Sequence, residues 1–154
     1  MSAVSSNPHY FQFDLDRGIR NQVVEKLESS PSLLLERGVG PNDSGIYALY
    51  FKNELVYVGK ASKGTTKSQR TLFGRLAEHV GKLSQRTGIA KDDMTCRYLV
   101  FDSEWWVFAA EFALISHYAP EWNASGFGSK TPGIGRPGTD RVSKFDLKFP
   151  RKQG

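Results

Sequence analysis

Two short apolar runs constrain the fold of this 154-residue chain more than any other feature. Gly45–Phe51 and Leu55–Gly59 are rich in β-forming residues, and the Lys-Asn-Glu stretch between them is typical of a tight turn. The pattern therefore predicts a β-hairpin. Because side chains alternate along a strand, Tyr47 and its neighbour Ile46 are expected on opposite faces of the sheet.

The remaining apolar spacings predict helices and one further strand around this hairpin. We expect a small α/β (α+β) domain in which a three-stranded antiparallel sheet is flanked by helices. The other predicted elements are helices at 17–29, 71–85 and 104–118, a strand at 95–102, a helical turn at 32–37 and a short strand at 144–149.

Composition divides the chain into three segments of a single domain. An arm and helix at 1–43 precede a core at 44–125, and a Gly- and Pro-rich segment follows at 126–154. Lys plus Arg equals Asp plus Glu up to residue 125, fourteen of each, so the net charge of +5 lies entirely in 126–154. Residues 60–91 are also basic. Two basic segments indicate binding of a polyanion, although a merely solubilising surface is the alternative.

Other classes of protein are disfavoured by simple features. The single cysteine, Cys96, excludes an internal disulfide and a multi-cysteine zinc site. The N-terminus lacks the charged start and apolar block of a signal peptide. The most apolar stretch, 105–115, is too short for a membrane helix and contains Glu111. We therefore expect a soluble, cytoplasmic protein with no membrane partner.

Several residues suited to phosphate chemistry lie in or beside the predicted elements. Tyr57 is followed by Val-Gly-Lys, so a phenol, a glycine that lets phosphate approach the backbone and the amine of Lys60 fall within four residues. Arg75 and His79 stand four residues apart on one helix face. Arg suits bidentate phosphate binding, and His exchanges a proton near neutral pH. An ordinary amphipathic helix with boundary charges explains this pair as well.

Glu111 is a carboxylate whose helical neighbours three and four residues away are all apolar. Burying it is costly unless it is paired or holds a cation. A lone carboxylate suits Mg²⁺, which keeps most of its waters and takes further ligands from phosphate. The alternative is a salt bridge to Arg75 or Arg97. Asn123 follows the same helix, where it could donate to a phosphate oxygen or cap a turn.

The order of these residues resembles the GIY-YIG nucleases over roughly residues 44–125. The triplets Gly45-Ile46-Tyr47 and Tyr57-Val58-Gly59 are separated by nine residues, with valine in place of the usual isoleucine. The resemblance implies the GIY-YIG nuclease fold and a metal-dependent DNA endonuclease. It implies Mg²⁺ as the cofactor, with Mn²⁺ as a substitute, and no small-molecule substrate.

The resemblance also implies individual roles. Tyr57 would act as general base or polarise the attacking water, helped by Lys60 and a second tyrosine. Arg75 would hold the scissile phosphate, His79 would assist proton transfer and Glu111 would ligate the metal. The implied catalytic set is Tyr47, Tyr57, Lys60, Arg75, His79, Glu111 and Asn123.

Within this family, the spacing of these residues is most similar to the type II restriction endonucleases that cut CCGCGG. This implies cleavage of double-stranded DNA at a palindrome, which a homodimer achieves most simply. The N-terminal arm or the Trp105/Trp106 region would supply its interface. The expected DNA-binding residues are basic and lie in the 61–70 loop and the C-terminal segment: Lys63, Lys67, Arg70, Lys130, Arg136, Arg141 and Lys144.

Three alternatives stay open. A structure-specific repair or recombination nuclease would act as a monomer on flaps or junctions without a preferred sequence. A catalytically inert DNA-binding module would have kept the fold and lost the chemistry, although all the implied catalytic positions are present in this chain. An unrelated α/β binding protein with accidental matches is the third and least economical interpretation.

Overall fold

One antiparallel sheet organises the fold. The computed structural model describes residues 8–12, 14, 16–63, 70–125, 127 and 143–153. Within these ranges the sheet has four strands: β1 (Leu33–Leu34), β2 (Gly45–Phe51), β3 (Glu54–Ala61) and β4 (Met94–Val100). The strands lie in the order β1–β4–β2–β3, and each neighbouring pair is antiparallel.

The predicted α+β class is confirmed, while the predicted number of strands is one too low. The additional strand is β1, in which Leu33 and Leu34 pair with Cys96 and Thr95. The helical turn predicted at 32–37 is therefore wrong. A strand of two residues is stabilised by its pairing with β4 rather than by a pattern of its own, so local periodicity does not reveal it.

β2 and β3 form the predicted hairpin, which turns through the two residues Lys52 and Asn53. Both residues have positive φ angles, 51° and 69°, as the two-residue turn that suits the strand twist requires. Asn is among the few residues that tolerate this backbone region. The resulting register places Tyr47 directly opposite Gly59.

The described residues also contain four α-helices, and the first three agree with the predicted helices to within a few residues. None of the helices in the described ranges has both the length and the apolar character needed to cross a membrane. The helices are α1 (Asn21–Ser29), α2 (Leu72–Leu83), α3 (Glu104–Tyr118) and α4 (Lys144–Lys148), with a π-helical turn at Asp16–Arg20 and 3₁₀ turns at Lys91–Asp93 and Glu121–Asn123.

α4 stands where the sequence predicts a short C-terminal strand, and that prediction is wrong. Phe145, Leu147 and Phe149 alternate along the sequence in the manner of a strand. In the structure Phe145 and Phe149 are buried and Leu147 is 72% exposed, which is the four-residue spacing of a helix. The Ser143 hydroxyl accepts a hydrogen bond from the Asp146 backbone N–H, and this cap starts the helix.

The sheet separates two hydrophobic layers, and the predicted alternation along β2 is confirmed. Tyr47 packs in the layer that contains α2 and the aromatic residues of the C-terminal segment. Ile46 packs in the opposite layer, with α1 and α3. Residues of α2 and α3 therefore approach the hairpin from opposite faces of the sheet.

The end of the chain returns to the C-terminal end of α2. The Arg86 side chain is buried and donates to Asp146 at 2.5 Å and to the Phe149 carbonyl at 3.1 Å. Backbone hydrogen bonds of 2.8 and 2.7 Å then join residues 85–87 to residues 150–152. α4 and residues 150–152 are therefore docked against the C-terminal end of α2.

Candidate active site

A buried hydrogen bond joins the first tyrosine of the hairpin to α2. Tyr47 Oη lies 2.7 Å from His79 Nε2, and both side chains are buried. Burial, together with the positive charges of Arg75 and Lys82, lowers the pKa of His79 from 6.5 to about 3. The imidazole is therefore neutral at physiological pH, and its tautomer decides which partner donates.

The second tyrosine lies against the same pair. The Tyr57 ring centroid is 6.1 Å from that of Tyr47 and 5.3 Å from that of His79. Burial raises the pKa of Tyr57, the charge of Arg75 lowers it and the charge of Glu111 raises it. The net shift is upward, so the resting side chain is a neutral phenol at neutral pH.

The glycines of the two triplets are required by close approaches. A Cβ atom on Gly59 would collide with the ring and hydroxyl of Tyr47 on the neighbouring strand. A Cβ atom on Gly45 would collide with the carbonyl oxygen of Leu99 on β4. The absence of a Cβ atom at Gly59 therefore leaves the space in which Tyr47 reaches His79.

Arg75 lies one helical turn before His79 and places a positive charge beside the tyrosines. Its side chain is 17% exposed, and its Nη1 lies 3.3 Å from Glu78 Oε2. Burial raises the pKa values of Tyr57 and Glu111, and the charge of Arg75 opposes that rise for both groups. The guanidinium is thus placed to bind an anion, and Glu78 is the carboxylate that it would exchange for a phosphate.

Glu111 reaches the site from α3, on the other face of the sheet. Its Oε1 lies 3.9 Å from Lys60 Nζ, and its side chain is 23% exposed. Burial raises the pKa of Glu111, while the charges of Lys60 and Arg75 lower it. The Lys60 ammonium also lies over the Phe108 ring, 3.6 Å from its centroid. Glu111 therefore pairs with Lys60, whereas the salt bridge considered from the sequence had Arg75 or Arg97 as its partner.

The chemistry around Glu111 fits a hard divalent ion with one protein ligand. Among the residues that the structure describes, no three His, Cys, Asp or Glu side chains gather into a metal-binding group. The Glu111 carboxylate is partly accessible and already faces the cationic Lys60. Mg²⁺ is commonly held by one or two carboxylates and completes its shell with water and phosphate oxygens.

Asn123 is fully engaged with the backbone of β3. Its Oδ1 accepts from the Val58 N–H at 2.9 Å, and its Nδ2 donates to the Val58 carbonyl at 2.9 Å. Val58 lies between Tyr57 and Gly59 on an edge strand, whose outer backbone groups need partners. Asn123 therefore supplies those partners and holds the strand segment that carries Tyr57.

The basic loop after β3 is closed at its base. The backbones of Ser62 and Arg70 exchange two hydrogen bonds of 3.0 and 3.1 Å, and Lys63 N–H donates to Ser44 Oγ at 2.7 Å. Arg70 Nε lies 3.8 Å from Glu78, the carboxylate that also pairs with Arg75. Lys144 is exposed at the start of α4. The predicted DNA-binding residues Lys67, Lys130, Arg136 and Arg141 lie outside the described residues.

The outer face of α3 carries an exposed aromatic row. Trp105, Trp106, Phe108 and Phe112 are each more than 60% exposed. None of these four side chains belongs to the hydrophobic core of the described residues. The row begins beside the site, since Phe108 supports Lys60.

Phe127 is a residue of the site that sequence reasoning missed. It is buried, and its ring centroid lies 5.1 Å from both Tyr57 and His79. Its signal was a lone aromatic between two glycines in an otherwise polar, Gly- and Pro-rich segment. The structure thus brings Tyr47, Tyr57, Arg75 and His79 together. Lys60 and Glu111 lie beside this group. Asn123 supports the strand segment that carries Tyr57.

Comparison with known proteins assigns the chain to a family. The family model described as the Eco29kI GIY-YIG domain matches residues 52–153, which is more than half of the chain. The match begins at the hairpin turn and extends through Tyr57, Arg75 and Glu111 into the docked C-terminal helix. No curated protein matches the chain. The chain belongs to the Eco29kI family of GIY-YIG restriction endonucleases, which are DNA endonucleases.

Proposed function

We propose that this protein is a type II restriction endonuclease that cuts both strands of DNA at a short palindrome, with Mg²⁺ as its cofactor and Mn²⁺ as a substitute. The observation that carries the proposal is the convergence of Tyr57, Arg75 and Glu111 from β3, α2 and α3. The resemblance to the CCGCGG-cutting enzymes favours that recognition sequence. The enzyme would act on DNA in the cytoplasm.

The proposed chemistry follows from the groups present. Tyr57 polarises or deprotonates the attacking water, and the charge of Arg75 favours its phenolate form. Arg75 binds the non-bridging oxygens of the scissile phosphate. Attack of water on phosphorus and breakage of the bond to the 3′ oxygen leave a 5′-phosphate and a 3′-hydroxyl. Glu111 holds the divalent ion, which when bound supplies positive charge near the leaving oxygen.

The buried pair Tyr47 and His79 has a supporting part in this scheme. Because the imidazole is neutral, it is not a cationic acid in the resting enzyme. The hydrogen bond between the two side chains instead fixes the ring of Tyr47, against which Tyr57 packs. We propose that this pair orients Tyr57, and that any proton it transfers moves only between Tyr47 and His79 along their hydrogen bond.

Basic residues around the site are proposed to bind the DNA backbone and base edges. Lys63 and Arg70 stand at the base of the loop after β3, and the shared carboxylate Glu78 links Arg70 to Arg75. Phosphate contacts would position the duplex, and Arg or Lys contacts to guanine would supply specificity. The full proposed set is Lys63, Lys67, Arg70, Lys130, Arg136, Arg141 and Lys144.

Digestion of a phage-sized DNA tests the proposed function. The purified protein with Mg²⁺ should give discrete fragments that are absent with EDTA, and sequencing the ends should return one palindrome. Nicking without discrete fragments, with preference for flaps or junctions, would replace the proposal with a structure-specific nuclease. DNA binding without cleavage would replace it with an inert binding module.

We also propose that the enzyme cuts as a homodimer joined through the aromatic row on α3. Each of these four side chains buries about 150–250 Å² when it is fully covered. Because more than half of each is exposed, the four together expose several hundred Å² of largely apolar surface. An exposed apolar area of several hundred Å² is large enough to form the centre of an interface, whose standard size is ~800 Å² per partner. A second copy seated there would lie next to Lys60 and Glu111.

Sedimentation velocity tests the homodimer. The unaltered protein should sediment as a dimer at micromolar concentration, alone or on DNA carrying its site. The double variant Trp105→Ser/Phe112→Ser should sediment as a folded monomer that still unfolds cooperatively on heating, because both side chains are exposed. Leu147→Ser, a matched control at an exposed leucine of α4, should remain dimeric. A monomer in every sample would contradict the proposal.

A further inference from the structure

Phe127 contacts two of the candidate catalytic groups at once. Its ring lies nearly parallel to the His79 imidazole, at 28°, and meets the Tyr57 ring edge-on, at 89°. Both centroid distances are 5.1 Å, and the side chain is 2% exposed. These are the offset-stacked and T-shaped geometries that aromatic pairs prefer.

The contacts of His79 show what this ring can contribute. The edge of the imidazole is held by the hydrogen bond between its Nε2 and the Tyr47 hydroxyl. A single hydrogen bond leaves the plane of the ring able to tilt about that bond. The face of Phe127 restricts the tilt and keeps water from the imidazole. The same ring blocks one side of Tyr57, so both groups have one fixed orientation.

Phe127 is itself held by the C-terminal part of the chain. Its ring centroid lies 5.0 Å from Trp122 and 4.6 Å from Phe145. Phe145 belongs to α4, and its backbone N–H donates to the Ser125 carbonyl at 3.2 Å. The buried Arg86 fastens α4 to the end of α2, as described above. Through Phe127, the described residues of the C-terminal segment thus pack in the layer that contains Tyr47 and Tyr57.

We propose that Phe127 is a positioning residue of the active site, which acts through His79 and Tyr57 by fixing their ring orientations. The inference rests on the proposed function for its kinetic consequence. It adds a residue from the C-terminal segment to a site whose other parts come from the hairpin, α2 and α3. Phe127 touches no reacting atom in this scheme and is not a catalytic residue.

A matched variant separates this role from ordinary core packing. Phe149 is buried in the same aromatic cluster, and its ring packs against Phe51, Trp122 and Phe145. Phe127→Leu and Phe149→Leu therefore remove the same atoms from one cluster, and both should lower the melting temperature. We expect only Phe127→Leu to lower kcat, by about 10- to 100-fold, with the KM for DNA unchanged.

A spectroscopic measurement tests the inference without relying on cleavage. The nitrogen resonances of the His79 imidazole report its tautomer and its hydrogen bond to Tyr47. They should shift in Phe127→Leu and stay in place in Phe149→Leu. If the unaltered protein cuts no DNA, the proposed function fails while this measurement still decides the inference. Unshifted resonances in Phe127→Leu, or equal kcat losses in the two variants, would overturn it. Should Phe127→Leu unfold at the assay temperature, Phe127→Met replaces it in both measurements.

Discussion

At the scale of single residues, burial sets the proton states of the site. It raises the pKa of Tyr57 and lowers that of His79, so both rings are neutral at neutral pH. The sequence indicated which residue types to choose, because their order matches a known pattern. The sequence could not show that His79 is buried, or that the Asn123 side chain is hydrogen-bonded to the backbone of β3. Both facts depend on packing between distant elements.

Removing the Tyr57 hydroxyl tests its proposed role. Tyr57→Phe should lower the rate of DNA cleavage by about 10²–10⁴-fold, which is the usual contribution of a positioned acid or base. DNA binding should be retained because the ring is kept. Tyr50→Phe serves as the control, since Tyr50 packs in the opposite layer of the sheet. Single-turnover cleavage measures both, and equal rates for the two variants would argue against this role.

The neutral His79 makes stability depend on pH in a defined direction. Its pKa is about 3 in the folded protein, against 6.5 for an ordinary histidine. Between these values the unfolded chain binds a proton that the folded protein lacks, so the free energy of unfolding falls as the pH falls. The part due to His79 is about 2 kcal/mol between pH 7 and pH 5.

Urea denaturation at the two pH values measures this effect. The unaltered protein should lose more stability on acidification than His79→Gln, which has no titrating ring. The difference between the two losses isolates His79 from the carboxylates that titrate in both proteins. Identical losses would mean that His79 accepts a proton in the folded state.

At the scale of elements, periodicity predicted those elements that bury a regular stripe. The hairpin, α2 and α3 follow from their apolar spacing. β1 was not predicted because two residues are too few to show a periodicity. α4 was predicted to be a strand because Phe145, Leu147 and Phe149 alternate along the sequence. In the structure, α4 is a helix that begins with the Ser143 N-cap, and it buries Phe145 and Phe149 but not Leu147.

Asn123 offers a test of how one element supports another. Asn123→Ala removes both hydrogen bonds to Val58 and leaves its backbone groups unpaired, which should cost about 1–3 kcal/mol. Asn123→Asp keeps the acceptor for the Val58 N–H and loses the donor to its carbonyl. Hydrogen exchange of the Val58 amide should therefore speed up markedly in the alanine variant and less in the aspartate variant. Unchanged exchange in Asn123→Ala would contradict this pairing.

At the scale of the whole molecule, the site joins residues from both faces of the sheet near the end of β3. Tyr47, Tyr57 and Arg75 belong to the α2 side, whereas Glu111 belongs to the α3 side and pairs with Lys60 near the end of β3. These site residues, and DNA as the substrate, were predicted from the sequence. The sequence could not indicate the docking of the C-terminal segment, because that depends on the buried contact of Arg86 with α4.

A comparison of DNA cleavage and DNA binding by Glu111→Gln tests whether Glu111 holds the divalent ion of a nuclease. Glutamine keeps the size of the side chain and removes the charge that would hold the divalent ion. With Mg²⁺ and the recognised DNA, we predict that this variant cuts no DNA while its Kd for the DNA stays equal to that of the unaltered protein. Cleavage at the normal rate, or loss of DNA binding, would contradict the assignment of Glu111 to the metal.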